Sequence, residues 1–294
     1  MSSYGTSTVK RLGREQAAGL DAELLRIAEE ERPTSVRGMY YMAMGAGLID
    51  KDALGKRNNY MRVQRRILNM RREGRLPYHW ITDGSRTVYG HARFDGPEDF
   101  PRHAAGIYRK DYWRESPVRV EVWVEKDAMA GKLAPVVRDE HGLDLYVSRG
   151  FASETYIQEA AAHIRSGGRP TYVYLLTDFD ASGMNVAETV ERRLVEMAGE
   201  VEVSVERLAA TPEQIGEYGL ITQPVTRSDS RARKFIERHG TETVELDAIP
   251  ASEIRRLVGE AIERHMDSRR LETMRMVERE ERDGIRALFG EAPC

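Results

Sequence analysis

The segment Thr171 to Gly183, TYVYLLTDFDASG, is the strongest indication of the fold. Its apolar run from Tyr172 to Leu176 predicts a buried strand, and a helical pattern begins at Gly183, just after Asp178 and Asp180. Strand, acidic turn and helix in this order are typical of a parallel sheet, which binds ligands at the carboxyl ends of its strands. Two carboxylates one residue apart at that edge indicate a site for a hard cation such as magnesium.

A second strand supports the same interpretation. The segment RVEVWVE, from Arg119 to Glu125, alternates valines with larger or charged residues and ends on an acid followed by Lys126. If both strands belong to one parallel sheet, Glu125 should lie beside the two aspartates. We therefore predict a metal site for Mg²⁺, or Mn²⁺ in its place, formed by Glu125, Asp178 and Asp180.

Strands and helices alternate through the second part of the chain. The predicted strands are Val118 to Glu125, Asp144 to Ser148, Tyr172 to Leu176 and Val201 to Leu208. The predicted helices are Asp127 to Glu140, Ser153 to Arg165, Ser182 to Met197, a short one after the capping Thr211, Ser230 to His239, and one long helix from Ala251 to about Phe289. This order predicts an α/β fold with a parallel sheet and C-terminal helices.

The first part of the chain predicts a different architecture. Helical patterns run from Ala17 to Glu31, from Ser35 to about Gly45 and from Asn58 to Glu73, and Asp83-Gly84 then lies between two β-prone runs. Three helices followed by a hairpin are typical of the winged-helix form of the helix-turn-helix. The expected organisation is a disordered tail (1–15), a winged-helix domain (16–93), an irregular linker (94–117) and the α/β domain (118–294).

The third helix is strongly basic. Nine basic residues lie between Lys51 and Arg75 against two acidic ones, in a protein of net charge −3. Double-stranded DNA is the expected partner, because such a helix can contact phosphates. The candidate contacts are Arg57, Arg62, Arg65, Arg66 and Arg72. Met61, Ile67, Leu68 and Met70 are expected to pack inward while the arginines stay in water.

Composition limits the compartment and the chemistry. The only cysteine is Cys294, which excludes an intramolecular disulfide and a cysteine-based zinc site. No apolar run reaches the roughly 20 residues of a membrane span. The N-terminus lacks the apolar core of a secretory signal. These features favour a reducing cytoplasm and no membrane association.

Two other known motifs, one that binds metal and one that acts on phosphate esters, contain the same Asp-x-Asp pattern as the acidic turn. An EF-hand loop starting at Asp178 would need glutamate where Thr189 stands and a helix where the strand precedes it. Haloacid dehalogenase-like phosphatases also use Asp-x-Asp after a strand, but near the start of their domain and with a further acidic pair downstream, which we do not identify in this sequence. Neither alternative fits the chain.

Several motifs together resemble a known family. Glu125-Lys126, then Ser148 to Phe151, then Asp178 to Gly183 resemble the Toprim domain of the topoisomerase VI A subunit and the related meiotic double-strand-break protein. Those proteins place a winged helix before Toprim, with an arginine-aspartate pair and two adjacent aromatic residues. Here the corresponding segment is Val36 to Tyr41, VRGMYY. The resemblance covers roughly residues 33 to 183 and is closest to short, stand-alone relatives of the A subunit.

The resemblance implies an activity and its residues. Tyr41 would attack a DNA phosphodiester, leaving a phosphotyrosine link and a free hydroxyl. Arg37, four residues earlier on the same helical face, would steady the phosphate, and Glu125 would act as general acid or base on the hydroxyl. The family works as a homodimer in which Tyr41 of one subunit would act with the metal site of the other. Complete strand passage would need a separate ATPase chain.

The sequence departs from the family pattern at two positions and leaves alternatives open. Gly38 stands where the family has aspartate, and Ala181 where it often has proline. The first change is expected to weaken the network that positions the tyrosine. A Toprim nuclease in which a metal-activated water attacks would use the same acids without Tyr41, and a DNA-binding module with a relic site is a non-enzymatic alternative.

Overall fold

The computed structural model describes residues 14–49, 56–81, 93–97, 99–148, 153–226 and 230–287. The chain forms a mixed α/β structure in which a parallel sheet lies between helices, as the sequence predicts. The predicted hairpin around Asp83-Gly84 lies outside the described residues. No helix in the described ranges is long and apolar enough to cross a membrane.

The N-terminal helices begin the structure. They are α1 (Arg14–Glu31), α2 (Val36–Gly45) and α3 (Lys56–Arg72). Ser35 caps α2 by accepting a hydrogen bond from the Gly38 backbone N–H at 3.0 Å. Helix α1 starts two residues inside the segment 1–15 that was predicted to be a disordered tail.

The sheet has four parallel strands in the order β2-β1-β3-β4. They are β1 (Arg119–Val124), β2 (Leu145–Val147), β3 (Thr171–Leu176) and β4 (Val203–Ala209). The connecting helices are α5 (Asp127–Ala134), which continues as a π-helical segment (Pro135–Glu140), α6 (Glu154–Gly167) and α7 (Ala181–Ala198). The predicted strands and crossover helices are confirmed.

The two faces of the sheet bury different cores. Trp123, Val173 and Leu175 point toward α6 and α7. The alternate residues, such as Val122 and Leu176, belong to a larger core that also contains the buried residues of the N-terminal helices. Successive residues of a strand point to opposite faces, so one six-residue strand serves both layers.

The segment 94–117 is more ordered than the irregular linker that the sequence predicted. It contains α4 (Asp99–Ile107), which packs against the last helix, and its Tyr112 and Trp113 are buried. The Tyr112 hydroxyl donates to Glu278 at 2.8 Å, and Lys110 pairs with Glu281 at 2.6 Å. The prediction failed because these contacts join segments far apart in the chain.

The C-terminal part differs from the prediction of one long helix. After β4 come α8 (Pro212–Glu217), β5 (Gln223–Pro224), α9 (Ala232–His239), β6 (Glu242–Thr243), a 3-10 turn (Leu246–Ala248), α10 (Ala251–Glu263) and α11 (Ser268–Ala287). The chain turns between α10 and α11, where the Asp267 carboxylate accepts from the Arg269 N–H at 2.8 Å. His265 stacks on Tyr172 there, at 4.1 Å between ring centroids. No proline or glycine marks this break, so the helical pattern continues across it.

Candidate active site at the carboxyl edge of the sheet

The three predicted metal ligands lie at the carboxyl ends of β1 and β3. Val124 pairs with Leu176, and the Glu125 N–H donates to the Leu176 carbonyl at 3.1 Å. Glu125 therefore follows β1 directly beside the turn that carries Asp178 and Asp180. The structure brings these residues to one edge of the sheet, as expected for neighbouring parallel strands.

The acidic turn is held by local bonds that explain its sequence. One oxygen of Asp180 caps α7 by accepting from the Gly183 N–H at 2.7 Å. A Cβ atom at Gly183 would lie 2.2 Å from the Asp178 carbonyl oxygen, so only glycine fits there. Phe179 is buried and exchanges two backbone hydrogen bonds with Val244, at 2.8 and 3.0 Å.

The Phe179–Val244 bridge brings a second acidic segment to the site. The sequence patterns did not predict this segment. It is Glu245-Leu246-Asp247, whose Leu246 N–H donates to the Asp178 carboxylate at 2.8 Å. Like Asp178 and Asp180, its two acids are separated by one residue and follow a β-prone residue. This acid-x-acid pattern could have identified the segment from the sequence.

Lys126 lies at the centre of these acids. Its ammonium is 2.7 Å from Asp178, 3.4 Å from Glu245 and 3.8 Å from Asp247. Burial by itself would lower the pKa of Lys126, but the three carboxylates outweigh it and raise the pKa above its ordinary value. Lys126 therefore carries a full positive charge among the acids.

A buried ion pair connects the site to the N-terminal helices. Asp247 is fully buried and lies 3.3 Å from the Lys132 ammonium, and it accepts a hydrogen bond from the Ser35 hydroxyl at 2.9 Å. Burial would raise the pKa of Asp247, but Lys132, Lys126 and Ser35 hold it below the ordinary value. A Cβ at Gly38 would lie 2.7 Å from the Lys132 ammonium. Because Gly38 has no side chain, the Lys132 ammonium can lie against the backbone of α2.

Tyr41, the predicted nucleophile, is buried against the same segment. Only 3% of its surface is exposed, and its hydroxyl accepts a hydrogen bond from Gln223 on β5 at 2.7 Å. Burial raises the pKa of Tyr41 well above its ordinary value, and the charge of Glu245 and a hydrogen bond to Glu245 raise it further. The phenol is therefore protonated at neutral pH, with Glu245 as its neighbouring proton acceptor.

Arg37 also reaches Glu245. Its guanidinium is 3.2 Å from the Glu245 carboxylate and half exposed. Burial would lower the pKa of Arg37, but Glu245, Asp247 and Tyr41 outweigh it. The two predicted residues of α2 thus converge on one carboxylate, as their spacing of four residues on a helix allows.

The acids of the cluster repel one another. Burial and the charge of Asp178 raise the pKa of Glu125 to about 7, with a smaller contribution from Asp180. Oxygen Oε2 of Glu125 is buried without a hydrogen-bond partner. We define the acidic cluster as five carboxylates and three cations: Glu125, Asp178, Asp180, Glu245, Asp247, Lys126, Lys132 and Arg37. Its carboxylates outnumber its cations by two.

The donor set suits a hard divalent cation. Mg²⁺ prefers carboxylate oxygens, and the cluster has excess negative charge and an unpartnered buried oxygen on Glu125. In the described ranges, however, no three or more histidine, cysteine or acidic side chains are already arranged around a common metal position. Two of the three predicted ligands already have other partners, because Asp178 pairs with Lys126 and Asp180 caps α7. The chemistry of the residues fits the ion, and Lys126 would have to release Asp178.

Helix α3 presents a mixed exposed stripe. Val63, Ile67 and Met70 face the core at spacings of four and three residues. Met61 and Leu68, which were expected to pack inward, are 46% and 42% exposed. They alternate along one exposed face with Arg65 and Arg72. The two apolar predictions were wrong because Val63 occupies the inward position.

The predicted DNA-contacting arginines differ in environment. Arg66 does not stay in water as predicted, since its guanidinium pairs with both oxygens of the buried Asp21 on α1. Arg62 is half-buried, and the side chain of Arg57 lies outside the described residues. Of the predicted set, Arg65 and Arg72 are the exposed ones on the mixed stripe.

The chain matches no protein-family model and no curated protein. Its function must therefore be argued from the fold and from the geometry of the acidic cluster.

Proposed function

We propose that this protein cleaves DNA by tyrosine transesterification, like the A subunits of type IIB topoisomerases that its motifs resemble. One observation carries the proposal: contacts run without interruption from Tyr41 to Glu245, from Glu245 to Lys126 and from Lys126 to Asp178. A tyrosine hydroxyl, a proton acceptor and the acidic turn thus belong to one site. This combination suits phosphoryl transfer, which needs a nucleophile and charge stabilisation.

The proposed reaction exchanges one ester for another. The Tyr41 oxygen forms a bond to a DNA phosphorus, and the bond from that phosphorus to one deoxyribose oxygen breaks. The phenol proton passes to Glu245, and Glu125 is the group that returns a proton to the departing deoxyribose oxygen. The raised pKa of Tyr41 in its buried position disfavours a free phenolate, so we expect Glu245 to remove the proton as the oxygen attacks.

Asp178 and Asp180 would hold the metal ion at the sheet edge, and bound Mg²⁺ or Mn²⁺ would supply positive charge to the phosphate oxygens. Glu125 would be a third ligand only in its ionised form, because it returns a proton only in its protonated form. Arg37 and Lys126 are the protein's own cations near the same position and would orient the phosphate. The double-stranded DNA is expected to lie along the exposed stripe of α3.

The burial of Tyr41 favours a second candidate function. A hydroxyl on a residue with 3% exposure cannot meet a DNA phosphate without a rearrangement of its surroundings. A hydrolytic nuclease needs no such rearrangement, since water replaces the tyrosine and the same acids serve. The two functions differ in one product, because only transesterification leaves protein covalently bound to DNA.

The first experiment separates these functions. Purified protein is incubated with supercoiled plasmid and Mg²⁺ or Mn²⁺, quenched with detergent, and examined for cut DNA and for covalently attached protein. Transesterification predicts an adduct that Tyr41→Phe and Asp178→Ala both abolish. Cutting without an adduct, unaffected by Tyr41→Phe and lost in Asp178→Ala, would establish the hydrolytic nuclease. No cutting with either metal would contradict both.

A mixing experiment decides whether Tyr41 acts with the acids of its own chain, as the contacts within one chain suggest, or with the acids of a second subunit, as the resemblance implies. If Tyr41 of one subunit acts with the acids of another, a mixture of Tyr41→Phe and Asp178→Ala proteins contains one intact site per mixed dimer and nicks the plasmid. If Tyr41 acts with the acids of its own chain, no intact site forms and the mixture stays inactive. Strand passage would require adding a separate ATPase chain, and without one the expected product is broken DNA.

A further inference from the structure

A cleft of about 230 Å³ lies between α7 and α9, beside the acidic turn. Buried Ala181 and Phe235 and half-buried Met184 form its apolar part. Lys234, Arg238 and Arg231 line it with positive charge, against the single carboxylate of Glu188. An apolar floor with a cationic rim is the combination that binds a nucleotide, whose base is flat and apolar and whose phosphate is anionic.

Glu188 holds the two exposed cations together. Its carboxylate oxygens lie 2.9 Å from the Lys234 ammonium and 3.2 Å from the Arg238 guanidinium. The hydrogen bond from Lys234 holds the pKa of Glu188 below its ordinary value, although partial burial opposes the shift. A bidentate anion between a lysine and an arginine is the arrangement that a phosphate would adopt in the same place.

The cleft is joined directly to the acidic turn. Ala181 is the first residue of α7, immediately after Asp180. Phe179, between the two aspartates, packs edge-on against Phe235 at 5.2 Å and against His239 at 5.6 Å between ring centroids. A nucleotide in the cleft would therefore lie next to the proposed cleavage position.

We infer that this cleft is a DNA subsite that holds one nucleotide of a single strand, unpaired from the duplex on α3, with its phosphate on Lys234 and Arg238 in place of Glu188. The cleft is smaller than the roughly 300–1,000 Å³ of sites for drug-sized ligands, so it has room for one nucleotide at most. The inference rests on the proposed function, since it assigns a substrate contact to that site.

Binding of a fluorescent single-stranded oligonucleotide, measured by anisotropy at several salt concentrations in EDTA, tests the subsite. Lys234→Ala/Arg238→Ala should weaken binding and reduce the salt slope by about 0.7, the value for one lost phosphate contact on a single strand. Glu188→Gln should tighten binding, because it removes the competing anion and keeps the shape. An unchanged affinity in either variant would overturn the inference.

A charge-matched control and a competitor complete the design. Arg26→Ala/Arg256→Ala removes two exposed cations from α1 and α10, neither of which lines the cleft, and it should leave binding unchanged. If the control variant weakens oligonucleotide binding equally, the loss reflects the total positive charge of the protein, and this result would contradict the subsite. Competition by deoxythymidine monophosphate as strong as by the oligonucleotide would assign the cleft to free nucleotides instead. Because EDTA removes catalysis, loss of the cleavage activity and loss of this binding are separate results.

Discussion

Glu245 is the residue on which the cleavage proposal depends most directly. It contacts Tyr41, Arg37 and Lys126, so it belongs both to the tyrosine and to the acidic turn. We expect Glu245→Gln to lower the rate of adduct formation by about 10²–10⁴-fold, the usual contribution of a general base. The measurement is single-turnover adduct formation. Glu242→Gln, an exposed neighbour on β6, is the control and should keep the parent rate.

The close packing around Gly38 leads to a prediction about stability. An added methyl group would press on the Lys132 ammonium and the Thr34 hydroxyl, at 2.7 and 2.9 Å. Because Lys132 is buried, we expect Gly38→Ala to cost about 1–3 kcal/mol of unfolding free energy, as overpacking usually does. Urea denaturation measures the change. Gly19→Ala in α1 has open space around its Cβ and should be neutral or stabilising, so equal loss in both variants would contradict the argument.

At the scale of elements, the exposed stripe of α3 predicts how the protein contacts duplex DNA. Arg65→Ala/Arg72→Ala should weaken binding to all duplexes alike and reduce the salt slope by about 1.8, as two lost phosphate contacts require. The stability should not change, because both side chains are exposed. Anisotropy with two unrelated duplexes measures the effect. A slope equal to that of the parent protein would remove α3 from the interface.

The contact between Asp21 of α1 and Arg66 of α3 should make the stability of the fold depend on pH. Burial would raise the pKa of Asp21, but Arg66 and Arg75 outweigh it and hold the folded pKa below the ordinary value. Ionised Asp21 therefore stabilises the fold above its unfolded pKa of about 3.9, and this contribution disappears as the pH falls through the lower folded pKa. We expect Asp21→Asn to cost about 1–3 kcal/mol at neutral pH, because it leaves its arginine partners short of hydrogen bonds.

Urea denaturation at neutral pH and below about pH 4 checks this, since the difference between Asp21→Asn and the parent protein should shrink in acid. Glu23→Gln is the matched control. Its pair with Arg26 lies on the same helix but is exposed, so it should change stability little. A difference that grows in acid would have the wrong sign for a lowered pKa.

At the scale of the whole molecule, one core joins the N-terminal helices to the sheet. Met39 of α2 is fully buried in the same cluster as Val122 of β1 and Ile249 before α10. We therefore expect one cooperative unfolding transition, with tryptophan fluorescence and far-ultraviolet circular dichroism changing together. Met39→Ala should lower the midpoint of that single transition, at a cost of about 2–5 kcal/mol. Two separate transitions, with only one shifted in Met39→Ala, would show that the halves fold independently.

The amino-acid sequence by itself determined the local elements and the first half of the site. Alternating strands and helices after Val118 predicted the parallel sheet, because hydrophobic periodicity and helix caps act over a few residues. The same reasoning placed Glu125, Asp178 and Asp180 at one sheet edge, since parallel strands bring their carboxyl ends together. The family resemblance singled out Tyr41, and its proposed role still awaits the adduct experiment.

The surroundings of those residues depend on contacts between distant parts of the chain. The Leu246 N–H reaches the Asp178 carboxylate across 68 positions of sequence, and Gln223 reaches Tyr41 across 182. The break between α10 and α11 and the packing of α4 against α11 likewise depend on distant partners. A local pattern carries no information about which distant segments meet, because burial and ion pairing form only when the whole core assembles. For this reason the sequence indicated the acids, while the fold brought Lys126, Glu245 and Asp247 to them.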